Sequence, residues 1–130
     1  MSRRSTPTVL LIDSDPDVLK LMEYAFRNEG LAVIPCREVD DALVHVRSGG
    51  VDCVVVDFHH ARTPECVRFL RELRAGARNG GPPVLVTSAT LPTETARQVL
   101  ELGARKFIPK PFYPSEVLRE VRAAVEGTAA

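Results

Sequence analysis

Acidic, hydroxyl and amine side chains follow four short apolar segments of this sequence, each at the point where the segment ends. Residues 13–15 read Asp-Ser-Asp after the first segment, Asp57 ends the third, Ser88 follows the fourth and Lys110 follows the fifth. Carboxylate oxygens suit Mg²⁺, and a carboxylate can act as a nucleophile. An ammonium and a hydroxyl can bind phosphoryl oxygens. These residue types indicate a site that holds a divalent cation and handles a phosphoryl group.

The apolar segments alternate with stretches of helical periodicity, which is typical of a parallel sheet with crossover helices. The apolar segments do not alternate with polar residues, so we expect strands that are buried on both faces. The predicted strands are residues 8–12, 31–34, 51–56, 84–87 and 105–108, and the predicted helices are 16–29, 39–48, 63–75, 93–102 and 114–125. Because ligands of such sheets bind at the carboxyl ends of the strands, the polar residues above are expected to meet at one edge.

Composition limits the class of protein. The 130 residues carry 17 basic and 17 acidic side chains, so the net charge is zero, unlike that of a protein that binds nucleic acid through its whole surface. No apolar run is long enough to cross a bilayer, and three cysteines without a Cys-x-x-Cys pair favour neither a disulfide framework nor a zinc ribbon. We expect one cytoplasmic domain over residues 8–126, with tails at 1–7 and 127–130.

The order and spacing of the polar residues resemble the receiver domain of two-component response regulators. The matching stretches are VLLIDSDP at 9–16, DCVVVD at 52–57, PVLVTSA at 83–89 and GARKFIPKPF at 103–112. Asp57 and Ser88 are 31 residues apart, and Ser88 and Lys110 are 22 apart. Each stretch alone is a weak signal, but their order and spacing together are specific, and they cover almost the whole chain.

The resemblance implies a fold and a set of roles. The fold would be an α/β, doubly wound, five-stranded parallel sheet of flavodoxin-like order 2-1-3-4-5, with helices one and five on one face and helices two, three and four on the other. Asp57 would be the phosphoacceptor and Lys110 its ion-pair partner. Ser88 would supply the hydroxyl that moves onto the phosphoryl group, and Phe107 would be the aromatic side chain that turns inward on activation. The peptide bond between Lys110 and Pro111 would be cis.

The resemblance also implies a Mg²⁺ site made by Asp13, Asp57 and the backbone carbonyl of His59. The family usually has a second acidic residue after the first strand, and this sequence has Ser14 there, which predicts weak Mg²⁺ binding. Asp15 is a doubtful substitute ligand, because its position before a proline predicts that it caps the first helix.

The loop after the phosphoacceptor departs from the family as well. The usual proline and Asp-Gly positions hold Ala61, Pro64 and Glu65, and the bulky pair His59 and His60 follows Asp57 closely. These changes are expected to alter the access of water to an acyl phosphate.

Three functions are compatible with these residues. The first is a stand-alone response regulator that receives phosphate from a histidine kinase or phosphotransfer protein, with at most self-phosphorylation and self-dephosphorylation. It would signal to a protein partner through the fourth helix, fifth strand and fifth helix, as a monomer or weak homodimer, without nucleic acid or membrane. Apolar residues on and near the fourth helix are expected to be exposed for that partner: Leu91, Val99 and Leu102.

The second function is a degenerate receiver that binds its partner without phosphorylation, which Ser14 and the altered loop favour. The third is an enzyme, because the Asp13-x-Asp15 pattern is similar to that of haloacid-dehalogenase-type phosphatases, with Asp13 as nucleophile. That family also needs an acidic pair after the lysine, and here the acids that follow Lys110 lie on the last predicted helix or directly after it.

Overall fold

A computed structural model of the chain describes residues 6–58, 63–76, 81–89 and 93–127, in which strands and helices alternate along the sequence. The strands are β1 (Thr8–Ile12), β2 (Ala32–Cys36), β3 (Cys53–Asp57), β4 (Val84–Ser88) and β5 (Lys106–Pro109). The helices are α1 (Pro16–Asn28), α2 (Val39–Ser48), α3 (Thr63–Ala75), α4 (Thr93–Glu101) and α5 (Pro114–Glu126). All ten predicted elements are present, and the largest shift of a strand boundary is two residues.

The five strands form one parallel sheet in the order β2-β1-β3-β4-β5. The α/β fold and the strand order expected from the sequence are therefore confirmed. In the register, Ile12 at the end of β1 lies beside Val56 of β3, and Asp57 lies beside Thr87 of β4. The carboxyl ends of these central strands are thus level, and the residues that follow them share one edge of the sheet.

Two apolar cores cover the two faces of the sheet. Val9, Val55 and Leu85 pack with α1 and α5, whereas Leu10 and Val54 pack with α2, α3 and α4. Neighbouring strand residues point to opposite faces, so a strand that is apolar at every position fills both cores. This explains why apolar and polar residues do not alternate in the strand segments of the sequence. The predicted placement of the helices, with α1 and α5 on one face and α2, α3 and α4 on the other, is confirmed.

Helix α4 corrects one expectation from the sequence. Val99 was expected to be exposed for a partner, but it is fully buried and belongs to the core under α2, α3 and α4. Leu102 is half-buried and packs against the same core, while Leu91 lies outside the described residues. The short helix α4 has Val99 as its one buried residue among those described, so this side chain provides its anchor to the sheet.

The described helices include none that is long and apolar enough to span a bilayer.

The turn after α4 depends on Gly103, and this leads to a prediction about stability. Gly103 has φ +98, and an added Cβ would lie 2.5 Å from Nε of Arg74, whose guanidinium donates to the carbonyl of Leu102 at 3.3 Å. Gly103→Ala is therefore expected to lower the free energy of unfolding by about 2–3 kcal/mol, from backbone strain and the loss of this cap. Urea unfolding measures the change.

Gly30→Ala is the matched control, because Gly30 also has positive φ, at +89, but no atom lies within 4 Å of its added Cβ. The free energy of unfolding of this variant should fall by only about 1 kcal/mol, because backbone strain is its one source of destabilisation. Equal losses in the two variants would show that Arg74 moves aside at no cost.

Candidate functional site

Asp13, Asp57 and Lys110 meet at the carboxyl edge of the sheet. Nζ of Lys110 lies 2.9 Å from Oδ1 of Asp57 and 3.4 Å from Oδ2 of Asp13. The two carboxylate side chains are only 7% and 9% exposed, and that of Lys110 is 24% exposed. One ammonium therefore joins two largely buried carboxylates, one directly after β1 and the other at the end of β3.

The backbone around β5 sets the position of Lys110. Its amide donates to the carbonyl of Ser88 at 2.8 Å, which continues the pairing of β5 with β4 beyond the end of the strand. The Lys110–Pro111 peptide bond is cis. The lysine side chain thus starts at the end of β5, two strands from β3, and reaches across β4 to Asp57.

The charges of the site do not balance, because two carboxylates face one ammonium. Burial raises the pKa of Asp13, and the charge of Asp57 adds to this rise, against a backbone hydrogen bond from Asp15 and the charge of Lys110. Burial opposes protonation of Lys110, but its contacts with Asp57 and Asp13 prevail and its pKa is raised. The excess of negative charge makes this edge of the sheet favourable for a cation.

The side of Asp57 that faces α3 contains a small cavity of about 10 Å³, lined in part by Asp13, Ser14, Arg37 and Asp57. Its size is close to that of one water molecule. The guanidinium of Arg37 donates to the Ser14 carbonyl at 3.3 and 3.2 Å. Asp13 and Asp57 thus border a space the size of one water molecule, and its lining also includes the neutral Ser14, the cationic Arg37 and the carboxylate of Glu65.

Asp15 does not belong to this cavity's lining and caps α1. Its side chain accepts a hydrogen bond from the amide of Asp17 at 2.9 Å, and Pro16 occupies the first turn. Its own amide donates to Oδ1 of Asp13 at 2.9 Å, which orients that carboxylate. Within the described residues, no group of three His, Cys, Asp or Glu side chains is arranged to hold a metal ion, and His59 lies outside them.

Ser88 and Phe107, the two predicted switch residues, have different degrees of burial. Ser88 is 1% exposed and continues the face of β4 on which Val84 and Val86 pack under α2, α3 and α4. Phe107 in β5 is half-buried and packs against the same core.

The structure adds Thr87, a site residue that the sequence analysis missed. Its hydroxyl donates to Oδ1 of Asp57 at 3.0 Å, and the residue is 2% exposed. One feature of the sequence could have indicated this role. The Thr87 hydroxyl interrupts the apolar run of β4 directly before Ser88, on the strand that lies next to the strand of Asp57. The family resemblance assigns the hydroxyl function to Ser88 alone.

Comparison with known families identifies this arrangement. The sequence profile of the response regulator receiver domain matches residues 9–122. The chain belongs to the response regulator receiver domain family.

Relatives and solved structures agree with this membership. The receiver is 30% identical over 115 residues to the DNA-binding response regulator MtrA of Mycolicibacterium smegmatis, covering 88% of this chain and 49% of that protein. It is 31% identical over 119 residues to the transcriptional regulatory protein PrrA of Mycobacterium leprae, covering 92% and 50%. The chain thus spans about half the length of these curated relatives.

Among solved structures, a response regulator from Thermotoga maritima superposes with a TM-score of 0.80 at 25% identity, covering 93% of this chain and 98% of the other. The receiver domain of the Francisella response regulator 1452 superposes with a TM-score of 0.82 at 24% identity, covering 95% and 100%. The second likeness concerns the fold alone.

Proposed function

We propose that this receiver domain accepts a phosphoryl group on Asp57 from a histidine kinase or phosphotransfer protein and signals by contact with another protein. The observation that carries the proposal is the contact of 2.9 Å between Lys110 and a largely buried Asp57 carboxylate, with Asp13 beside them. The proposal places the domain in the cytoplasm, where such donors act.

In the transfer, an oxygen of Asp57 bonds to phosphorus as the bond from phosphorus to the donor nitrogen breaks, and the electron pair remains on the donor. Negative charge gathers on the phosphoryl oxygens during this step. The Lys110 ammonium is already at the site, so it can stabilise that charge without moving far. Asp13 orients Lys110 from the other side, and its own geometry is fixed by the amide of Asp15.

A Mg²⁺ ion would be held by Asp13, Asp57 and the backbone carbonyl of His59, with Ser14 as a neutral neighbour. When bound, the ion offsets the charge of the carboxylates and the phosphoryl group. The cavity beside Asp57 and the excess of carboxylates over the Lys110 ammonium support this assignment.

The switch is proposed to use Ser88 and Phe107. After phosphorylation, Ser88 closes on the phosphoryl group and Phe107 moves from its half-buried position to a fully buried one. A phosphoryl group adds nearly two negative charges, which is sufficient to bias a loop between two arrangements. The partner then binds the face made by α4, β5 and α5.

The degenerate function remains the second candidate because of Ser14 and Arg37. The guanidinium of Arg37 lines the same cavity as the candidate cation ligands, so a positive charge is already present there. The phosphatase function is less well supported, because the Lys110 contact to Asp57 is shorter than that to Asp13. Membership of the receiver family likewise favours Asp57 as the acceptor.

The test is intact-protein mass spectrometry after incubation with acetyl phosphate and Mg²⁺. We expect the wild type to gain the mass of one phosphoryl group and Asp57→Asn to gain none, because the amide lacks a nucleophilic carboxylate. Asp15→Asn is a matched control that should still be labelled. No label on the wild type at any Mg²⁺ concentration would favour the degenerate function.

A further inference from the structure

Thr87 makes a direct contact with the proposed phosphoacceptor, and the architecture of the sheet explains it. Thr87 lies beside Asp57 in the parallel register, so the two side chains project from the same face. Oγ1 of Thr87 donates to Oδ1 of Asp57 at 3.0 Å. Thr87 is 2% exposed, and water has little access to replace this hydrogen bond.

The same carboxylate oxygen accepts a second hydrogen bond. Nζ of Lys110 lies 2.9 Å from Oδ1 of Asp57, so two donors converge on this oxygen, one charged and one neutral. Lys110 has a long side chain that is 24% exposed and can follow a phosphoryl group. Thr87 has a short side chain on a strand and stays with the carboxyl group.

We propose that Thr87 is a positioning residue that stabilises the free Asp57 carboxylate and thereby shortens the lifetime of the phosphorylated form. This inference rests on the proposed function, in which Asp57 carries the phosphoryl group. The role differs from that assigned to Ser88, which binds the phosphoryl oxygens, because Thr87 binds the carboxyl group itself.

The direction follows from the hydrolysis step. A water oxygen bonds to phosphorus as the bond between phosphorus and the Asp57 oxygen breaks, the electron pair stays on the carboxylate, and both water protons leave on inorganic phosphate. Negative charge thus grows on the carboxyl group. A hydrogen bond to a charged acceptor is stronger than one to a neutral acyl oxygen, so the Thr87 hydroxyl favours the departing carboxylate over the acyl phosphate.

The first test compares the wild type with Thr87→Val, which keeps the branched shape and loses the hydroxyl, and Thr87→Ser, which keeps the hydroxyl. Each protein is phosphorylated with acetyl phosphate and Mg²⁺, the donor is removed, and the remaining phosphoprotein is followed by intact-protein mass spectrometry. We expect the half-life to increase about five- to twentyfold in Thr87→Val, as for loss of a hydrogen bond to a charged group, and to stay within about twofold in Thr87→Ser. An unchanged or shorter half-life in Thr87→Val would overturn the inference.

A second test needs no phosphorylation and separates this inference from the proposed function. The ¹³C resonance of the Asp57 carboxyl carbon is recorded in the unphosphorylated proteins, and we expect it to shift in Thr87→Val and to return towards the wild-type position in Thr87→Ser. If the resonance is the same in all three proteins, the hydrogen bond is absent and the inference fails. If the wild type takes no phosphoryl label but the resonance shifts, the proposed function fails and the positioning of Asp57 by Thr87 stands.

Discussion

Ser14→Asp is expected to bind Mg²⁺ about ten- to a hundredfold more tightly than the wild type. Ser14 lines the cavity beside Asp57 together with Asp13, so an aspartate there would add a negative charge next to these two candidate cation ligands. Mg²⁺ prefers anionic oxygen ligands in strict octahedral geometry, and the serine hydroxyl is neutral. Isothermal titration with Mg²⁺, at fixed ionic strength, measures the change.

The size of the effect follows from two opposing contributions. One unit charge and a divalent ion about 4 Å apart attract each other by roughly 8 kcal/mol at an effective dielectric constant near 20. Loss of hydration from both groups offsets most of this attraction, and about 1–3 kcal/mol remains. Without metal, the added charge should lower the free energy of unfolding, because Asp13 is already buried and its pKa is already raised by burial and by Asp57.

Ser14→Asn is the control for this prediction, because it adds an oxygen ligand of similar reach without the charge. Its Mg²⁺ affinity should stay within about threefold of the wild type. If Ser14→Asp and the wild type bind Mg²⁺ equally well, another group or water already fills the ligand position. Ser14 would then no longer favour a degenerate receiver.

The fold was largely predictable because its determinants are local. Strands buried on both faces have no alternation, and helices have apolar residues at intervals of three and four. The meeting of Asp57 with Lys110 was predictable too, because each follows or ends a parallel strand and such ends share one edge. These features depend on position along an element and need no knowledge of side-chain contacts.

Other features depended on packing across the sheet, which the sequence does not specify. Thr87 was missed because its role comes from the register between β3 and β4, which places it beside Asp57. Val99 was expected to be exposed because two faces of α4 carry apolar residues, and only the packed structure shows which face meets the core. The orientation of Arg37 towards the Ser14 carbonyl is a tertiary contact of the same kind.

Lys110→Met is expected to lower the free energy of unfolding by about 2–4 kcal/mol at neutral pH in the absence of Mg²⁺. The variant keeps a side chain of similar length but leaves Asp13 and Asp57 without the ammonium between them. Breaking a buried ion pair by removing one partner costs several kcal/mol, because a charge remains buried and uncompensated. The cost is reduced here because the Lys110 side chain is 24% exposed. Urea unfolding in EDTA measures it.

The pH dependence of this loss has a definite sign. The pKa of Asp13 is raised in the folded protein above its ordinary value of 3.8, so the ionised carboxylate destabilises the fold. The free energy of unfolding therefore falls as pH rises through the window between 3.8 and the raised pKa. Lys110 lowers the pKa of Asp13, so its removal extends the window upwards. The difference between variant and wild type should therefore grow with pH above about 4 and disappear below it, where the Asp13 carboxyl group is protonated.

The contribution of Lys110 in the wild type should persist well into the alkaline range. Its pKa is raised above the ordinary value of 10.5, so from neutral pH up to that value the ammonium stabilises the fold fully, and it loses this effect only as pH rises through the raised pKa. Asp13→Asn combined with Lys110→Met should recover about half of the lost stability, because one buried charge is removed with its partner. Saturating Mg²⁺ should also restore part of the lost stability in Lys110→Met alone. The contrary result would be a loss of unfolding free energy in Lys110→Met that is the same at pH 3 and pH 7 and that neither Asp13→Asn nor Mg²⁺ relieves. Lys110 would then stabilise the fold through the packing of its methylene groups and not through its charge.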